Sequence, residues 1–326
     1  MKDLSIIIPV YNTATFLESC FGSFRGMSEH KISIEIIFVN DGSTDGSLEI
    51  LNDFEREHDF VKIINQENQG LSGARNTGIK NANGKYFILL DSDDWLEWDA
   101  ILKIYALAFQ QDLDLVGFRL QFVDEEGKIT GISDKHPLLY ENKITGAEAL
   151  IEGYQPSSAC LFMYKTSFII NTNLEFYRGI MQEDVEFTVR RLLHAKKVLF
   201  TDKIGYNYYK RSDSMTTTLT KERIEKYLSD SILVAEQIKN NKQFKEEAIV
   251  IKAIEKNYNS VTWNLLWRFF AKPKETDFEF KKKCLNDLKA RSLYPIKGSL
   301  KTPFQNKIRY VFNSETLFKL ILKIRN

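Results

Sequence analysis

Asp91-Ser92-Asp93-Asp94 follows directly on the apolar run Tyr86-Phe87-Ile88-Leu89-Leu90. Such a run reads as a buried strand. Carboxylates at its exit stand where open α/β sheets bind ligands, beyond the carboxyl ends of the strands. Two acids one residue apart, Asp91 and Asp93, can share a hard divalent cation that keeps some waters and takes substrate phosphates as further ligands. A solvated acidic turn would have the same composition. Asp41 repeats the placement after the apolar run Ile34 to Val39. There a carboxylate can accept hydrogen bonds from a base or a ribose, or bond its own backbone in an Asx turn.

Three further segments could add chemistry. Gly70-Leu71-Ser72-Gly73-Ala74-Arg75-Asn76 opens a helix with small residues that permit close approach, and Arg75 adds a fixed positive charge. It lacks the Gly-Lys-Ser/Thr of a Walker loop and the G-x-G-x-x-G of a dinucleotide site. Gln182-Glu183-Asp184-Val185-Glu186 places acids at a helix start, where capping and the macrodipole favour them in any case. Their chemical use would be as a general base that takes the proton of an attacking hydroxyl. Lys210, Arg211, Ser214 and Thr216 mix cations and hydroxyls after a strand-like run, as diphosphate ligands or as a solvated loop. The histidines (His30, His58, His136, His194) have no ligand spacing, and Trp263 and Trp267 with Leu266 and Phe270 read as a helical core stripe.

Alternating strands and helices must position these groups. Leu4 to Val10, Ile34 to Val39, Val61 to Ile64 and the run into Asp91 read as strands, with helices over Thr13 to Phe24, Asp45 to about His58 and Gly70 to Ala82. That alternation implies βαβ units and a mostly parallel sheet. Further strands are expected at Asp114 to Val123, Ser158 to Tyr164, Lys197 to Phe200 and Gly205 to Tyr209, and helices at Gly146 to Glu152 and Val185 to His194. From about Thr220 strand signals fade, and Lys221 to Lys242, Phe244 to Phe270 and Asp277 to Lys289 read as helices. The division is therefore a mixed domain over 1–219 and a helical region over 220–326.

Composition excludes some classes. The 326 residues are 43% hydrophobic and 27% charged, with net charge +1. This is a folded chain rather than a disordered one, and not one that coats nucleic acid by bulk charge. Cys20, Cys160 and Cys284 are far apart and odd in number, which suits a reducing compartment. No signal peptide opens the sequence, and no apolar run approaches the roughly 18 residues of a membrane span. The expected location is the cytoplasm. In the tail, Leu317, Phe318, Leu320, Ile321, Leu322 and Ile324 mix with Lys319, Lys323 and Arg325. Such a helix can lie on an anionic membrane on the inner face of the cell, or pack on the protein or a second subunit.

Together Ser5-Ile6-Ile7-Ile8-Pro9-Val10-Tyr11-Asn12, Val39-Asn40-Asp41-Gly42-Ser43-Thr44-Asp45, Asn68 to Asn76 and Leu90-Asp91-Ser92-Asp93-Asp94 resemble, in order and spacing, the family 2 glycosyltransferases of bacteria. The likeness covers about the first hundred residues strongly and extends to about Thr218. It implies the α/β GT-A fold, Rossmann-like, and a non-processive enzyme, since the Gln-x-x-Arg-Trp motif and membrane spans of the processive synthases are absent. By that resemblance Pro9 and Tyr11 line a base pocket, and Asp41 and Arg75 bond the base, usually uracil. Asp91 and Ser92 stand at the ribose or the water shell of the metal, and Asp93 with Asp91 holds Mn2+ or Mg2+. Asp184 is the catalytic base with Glu183 beside it, and Arg211 and Ser214 hold the diphosphate. The partners implied are a nucleotide-sugar donor and a glycan or polyprenyl-linked saccharide acceptor. The reaction implied is one inverting displacement. The competing readings are a catalytically silent nucleotide-sugar-binding module and a nucleotidyltransferase, which would need a glycine-rich basic loop that Pro9-Val10-Tyr11-Asn12 does not supply.

Overall fold

In the computed structural model of the chain, the described residues are 2–24, 32–133, 140, 142–210, 220–241, 244, 247–300 and 302–325. They divide into two compact units. The first comprises Met1–Gly146, Ser157–Gly179 and His194–Ser214, and the second Ala147–Pro156, Ile180–Leu193 and Met215–Asn326.

The first unit is built on a nine-stranded sheet. Its strands are β1 (Lys2–Val10), β2 (Ile34–Asn40), β3 (Val61–Asn65), β4 (Gly84–Leu89), β5 (Trp95–Leu96), β6 (Leu115–Val123), β7 (Ile129–Ile132), β8 (Phe162–Lys165) and β9 (Val198–Tyr209). The order is β3-β2-β1-β4-β8-β6-β9-β5, with β7 on β6. β3, β2, β1 and β4 are mutually parallel, as the alternating pattern requires. β8 then pairs antiparallel to both β4 and β6, while β6 and β9 are parallel. Every residue of β2 and Leu4 to Val10 of β1 are buried, which is why these strands read as unbroken apolar runs. The one acid inside them, Glu35, is satisfied: it accepts from Ser5 Oγ (2.6 Å) and from the Asn83 backbone N–H (2.6 Å).

Helices α1 (Ala14–Gly22), α2 (Ser47–Glu57), α3 (Gly70–Asn81), α4 (Trp98–Gln110) and α6 (Thr166–Thr172) flank the sheet, and α5 (Gly146–Glu152) precedes α6 in the chain. α3 lies against β1 so closely that a Cβ on Gly78 would stand 2.2 Å from Ile7 Cγ2. Only glycine fits there, and the approach fixes the helix that carries Arg75. α4 was not expected. Its core face, Ile101, Ile104, Tyr105 and Ala108, has helical spacing that the run of acids before it obscures. Lys197 to Phe200 and Gly205 to Tyr209, expected as separate pieces, form the continuous strand β9.

The second unit is helical. α7 (Glu183–His194), α8 (Lys221–Lys239), α9 (Ala248–Ala271), α10 (Phe278–Ala290), α11 (Pro303–Asn313) and α12 (Glu315–Arg325) belong to it. Its core joins Ile224, Leu228 and Ile232 of α8, Trp263, Leu266 and Phe269 of α9, Leu285 and Leu288 of α10, and Phe312, Phe318 and Leu322. Trp263 and Trp267 stack at 6.0 Å, so the aromatic stripe is core, as its spacing suggested. Side-chain caps start three helices: Thr220 on Arg223 N–H, Asp277 on Phe280 N–H, and a Thr302–Gln305 capping box. No helix among the described residues is long and apolar enough to cross a membrane.

Candidate active site

The parallel order β2-β1-β4 sets the carboxyl ends of three strands side by side, and the chain leaves them at Asp41, Tyr11 and Asp91. β1 pairs with β2 as far as Val10↔Asn40, but with β4 only to Ile7↔Leu89. Pro9, a buried residue of β1, has no N–H to continue a ladder. The loops beyond it are tied by side chains: Asn12 Oδ1 accepts from Thr44 N–H (2.8 Å), and Asp45 accepts from Ala14 N–H (3.1 Å) and Ser47 N–H (2.9 Å). Asp45 thus joins the starts of α1 and α2. Tyr11 stands half exposed beside them.

Asp41 is 2% exposed. Its Oδ1 accepts from Gln66 Nε2 (2.6 Å) and from the Gln69 backbone N–H (2.9 Å), while Thr77 Oγ1 donates to Gln66 Oε1 (2.6 Å). This chain fixes the carboxylate against the start of α3. Asn40 is part of the loop's own scaffold, donating to Asn65 and accepting from Ser43 N–H.

The Asp91–Asp94 turn is divided between two uses. Arg75, 1% exposed, donates from Nη2 to Asp91 Oδ1 at 2.9 Å. The thiol of Cys160 donates to Asp91 Oδ2 at 3.7 Å, and the Arg75 guanidinium lies over the Phe176 ring. Arg75 is therefore brought onto Asp91. Ser92 is buried and donates to Thr13 Oγ1 at 3.0 Å. Asp94 turns inward: it is 1% exposed, and accepts from Tyr206 OH (2.6 Å) and from Tyr209 N–H (2.8 Å). Tyr206 OH in turn accepts from Asp91 N–H at 3.2 Å. Burial, with Asp91 and Asp93 nearby, pushes the Asp94 carboxyl well above the usual carboxylate range. Burial and Asp94 likewise push the Tyr206 hydroxyl up. Asp94 is thus a structural acid that pins the turn to β9, whereas Asp91 and Asp93 keep part of their surface.

This turn fits a cation of the magnesium or manganese kind. Among the described residues no three His, Cys, Asp or Glu side chains converge. A cation here would take one or two carboxylates and complete its sphere with water and phosphate oxygens, as such ions do. Asp91 engages Arg75 and Cys160 through its two oxygens.

Asp184 and Glu183 head α7 and are half-buried. The entry to that helix is pinned by α8. Met181 N–H donates to Asp230 Oδ2 (2.7 Å), and Gln182, in the left-handed region at φ +68°, donates from Nε2 to Ser231 Oγ (2.6 Å). The third acid of the first turn, Glu186, is fully buried and paired with Arg190. Burial raises its carboxyl, against the pull of Arg190. Arg211, Ser214 and Thr216 lie outside the described residues. Lys210 follows β9, with its ammonium over the Phe122 ring at 4.3 Å. The supporting groups Gln66, Gln69, Thr13, Cys160 and Tyr206 were not singled out from sequence. Each acts on a residue far away in the chain, a relation that no local spacing reports.

The family model of glycosyl transferase family 2 matches residues 5–170. The chain belongs to that family. A poly(ribitol-phosphate) beta-glucosyltransferase of Bacillus spizizenii is 31% identical over 216 residues, 64% of this chain and 32% of that protein. The chain spans 32% to 66% of the length of four other curated relatives that it matches. Among solved structures, S. aureus TarS 1–349 in complex with UDP-GlcNAc superposes with TM-score 0.71 at 17% identity, over 99% of this chain and 91% of that one. Mannosyltransferase PcManGT from Pyrobaculum calidifontis, in complex with GDP-Man and Mn2+, gives TM-score 0.51 at 13% identity over 100% and 89%. At these identities the likeness is one of fold, and the fold is GT-A.

Proposed function

We propose that the chain is an inverting, metal-dependent glycosyltransferase. It moves one sugar from a nucleotide-sugar, a UDP-sugar in the simplest case, to a hydroxyl of a glycan or polyprenyl-linked saccharide in surface polysaccharide synthesis. The observation that carries this reading is the Asp91–Asp93 turn, held by Arg75 at the strand edge that also presents Asp41. The UDP-GlcNAc complex of TarS and the GDP-Man and Mn2+ complex of PcManGT support it. The polymer named for the Bacillus spizizenii relative supports the acceptor class.

Asp41, fixed by Gln66 and Gln69, presents an acceptor to the base. Tyr11 offers an aromatic face beside it. Asp93, with Asp91, holds Mn2+ or Mg2+, which when bound offsets charge developing on the leaving diphosphate. Arg75 orients Asp91 through the Nη2–Oδ1 hydrogen bond, and Arg211 and Ser214 bind the diphosphate. Asp184, with Glu183 beside it, takes the proton of the acceptor hydroxyl as that oxygen attacks the anomeric carbon. One displacement inverts that carbon. The site of action is the cytoplasmic side, where a lipid-linked acceptor would meet the C-terminal tail at the membrane surface.

The test is product formation. With a UDP-sugar, Mn2+ and an acceptor, the protein releases UDP and forms a glycoside of inverted configuration. Binding without turnover would mark a silent module, and pyrophosphate release a nucleotidyltransferase.

A further inference from the structure

The last two helices carry apolar residues on two opposite faces. Inward, Phe312 of α11 and Phe318 of α12 touch at 4.9 Å and, with Leu322, join the helical core. Outward, α12 exposes Leu317, Leu320 and Ile324, the last two at 53% and 74%. That is i, i+3, i+7 spacing, a second stripe along one helix face. α11 exposes Phe304 (60%), Tyr310 (71%) and Val311. A helix apolar on both sides is one whose second face is covered by something.

Charge decides what covers it. Between 303 and 325 the cations are Lys307, Arg309, Lys319, Lys323 and Arg325, against the acid Glu315. Glu315 already pairs with Lys289 and Lys319. A second copy would bring up a face with the same excess of cations, and like charges repel across an interface. Exposed Leu, Ile, Phe and Tyr bordered by cations match instead the boundary between acyl chains and anionic headgroups.

We propose that α11 and α12 form a docking surface for an anionic bilayer, with Phe304, Tyr310, Leu320 and Ile324 entering the interface and Lys307 and Lys323 facing its headgroups. The surface deepens the reading of a lipid-linked acceptor, but its binding is independent of catalysis. The full chain is sedimented with vesicles of phosphatidylglycerol and phosphatidylcholine, and with phosphatidylcholine alone. The expected result is binding to the anionic vesicles only, released by high salt and weakened roughly tenfold or more in Leu320→Glu/Ile324→Glu. Lys307→Glu/Lys323→Glu, which leaves the core untouched, weakens it in the same direction. Transfer to a soluble acceptor is measured on the same samples. Its retention in the variants separates failed docking from a failed enzyme assignment. The proposal is overturned by no sedimentation with anionic vesicles, by equal sedimentation with neutral ones, or by variants that bind like the parent. It is equally overturned if, without lipid, the parent is a dimer that Leu320→Glu/Ile324→Glu dissociates, since the face would then belong to a second copy.

Discussion

The acid clusters 91–94 and 183–186 solve one problem by different means. Each has a carboxylate driven fully inside and two that keep part of their surface. In the sheet unit the inner acid, Asp94, is held by neutral donors, the Tyr206 hydroxyl and the Tyr209 N–H. In the helical unit the inner acid, Glu186, is held by a guanidinium one turn along the same helix. Both carboxyls are raised by burial. An acid-rich motif therefore mixes acids buried against donors of the protein with acids that keep part of their surface. Charge counting along the sequence does not separate them; the partner does. Long-range tyrosine bonds lock a turn onto a strand, whereas an i, i+4 ion pair stiffens only its own helix.

This contrast can be broken most sharply at Asp184. Asp184→Asn should lower the turnover number by about 10²–10⁴-fold, the usual contribution of a general base, while donor affinity measured by calorimetry stays near that of the parent. Unchanged transfer would refute the assignment. Next in size, Arg190→Ala leaves Glu186 buried without its cation and should destabilise the protein by about 3–5 kcal/mol, read as a fall in denaturation midpoint. Were the midpoint unmoved, Glu186 would not depend on that pair. Asp93→Ala should weaken metal-dependent donor binding by at least about 10–100-fold, the loss that even outer-shell changes at metal sites produce. Equal affinities in the variant would place the cation elsewhere.

The smallest effect concerns Asp94. Asp94→Ala strands the Tyr206 hydroxyl and the Tyr209 N–H, a loss of about 1–3 kcal/mol. Asp94→Asn isolates the ionisation. The folded-state pKa is raised above the ordinary Asp value, so the native state favours the protonated form. Stability is then fullest below the unfolded-state pKa of about 3.9 and declines as pH rises through the raised value. The Asn variant should lack this decline in thermal scans from pH 4 upward. A slope identical to the parent's would show that Asp94 ionises freely.

Much of this was legible in the sequence because it is local. β1, β2 and β4 announce themselves by apolar runs, and Asp41 and Asp91 fall at their exits by the geometry of parallel strands. The tryptophan stripe on α9 is equally plain. β9 reads in the sequence as two pieces, Lys197 to Phe200 and Gly205 to Tyr209, yet the strand is continuous, with register shifts against β6. The union of Arg75 with Asp91 and of Asp94 with Tyr206 could not be read. The partners stand 16 and 112 residues apart, and an arginine or tyrosine carries no mark of which carboxylate it will meet. The same holds for α7, whose start is set by Asp230 and Ser231 of α8.

The central claim is that the Asp91–Asp93 turn binds a nucleotide-sugar through a divalent cation. Calorimetric titration of UDP-, GDP-, CMP- and dTDP-sugars into the protein, in Mn2+ and again in chelator, tests it most directly. The expected result is saturable binding of one donor, a UDP-sugar, in Mn2+, lost in chelator and in Asp93→Ala but kept in Asp184→Asn. Binding of the same strength without metal, or no binding of any nucleotide-sugar, would contradict it.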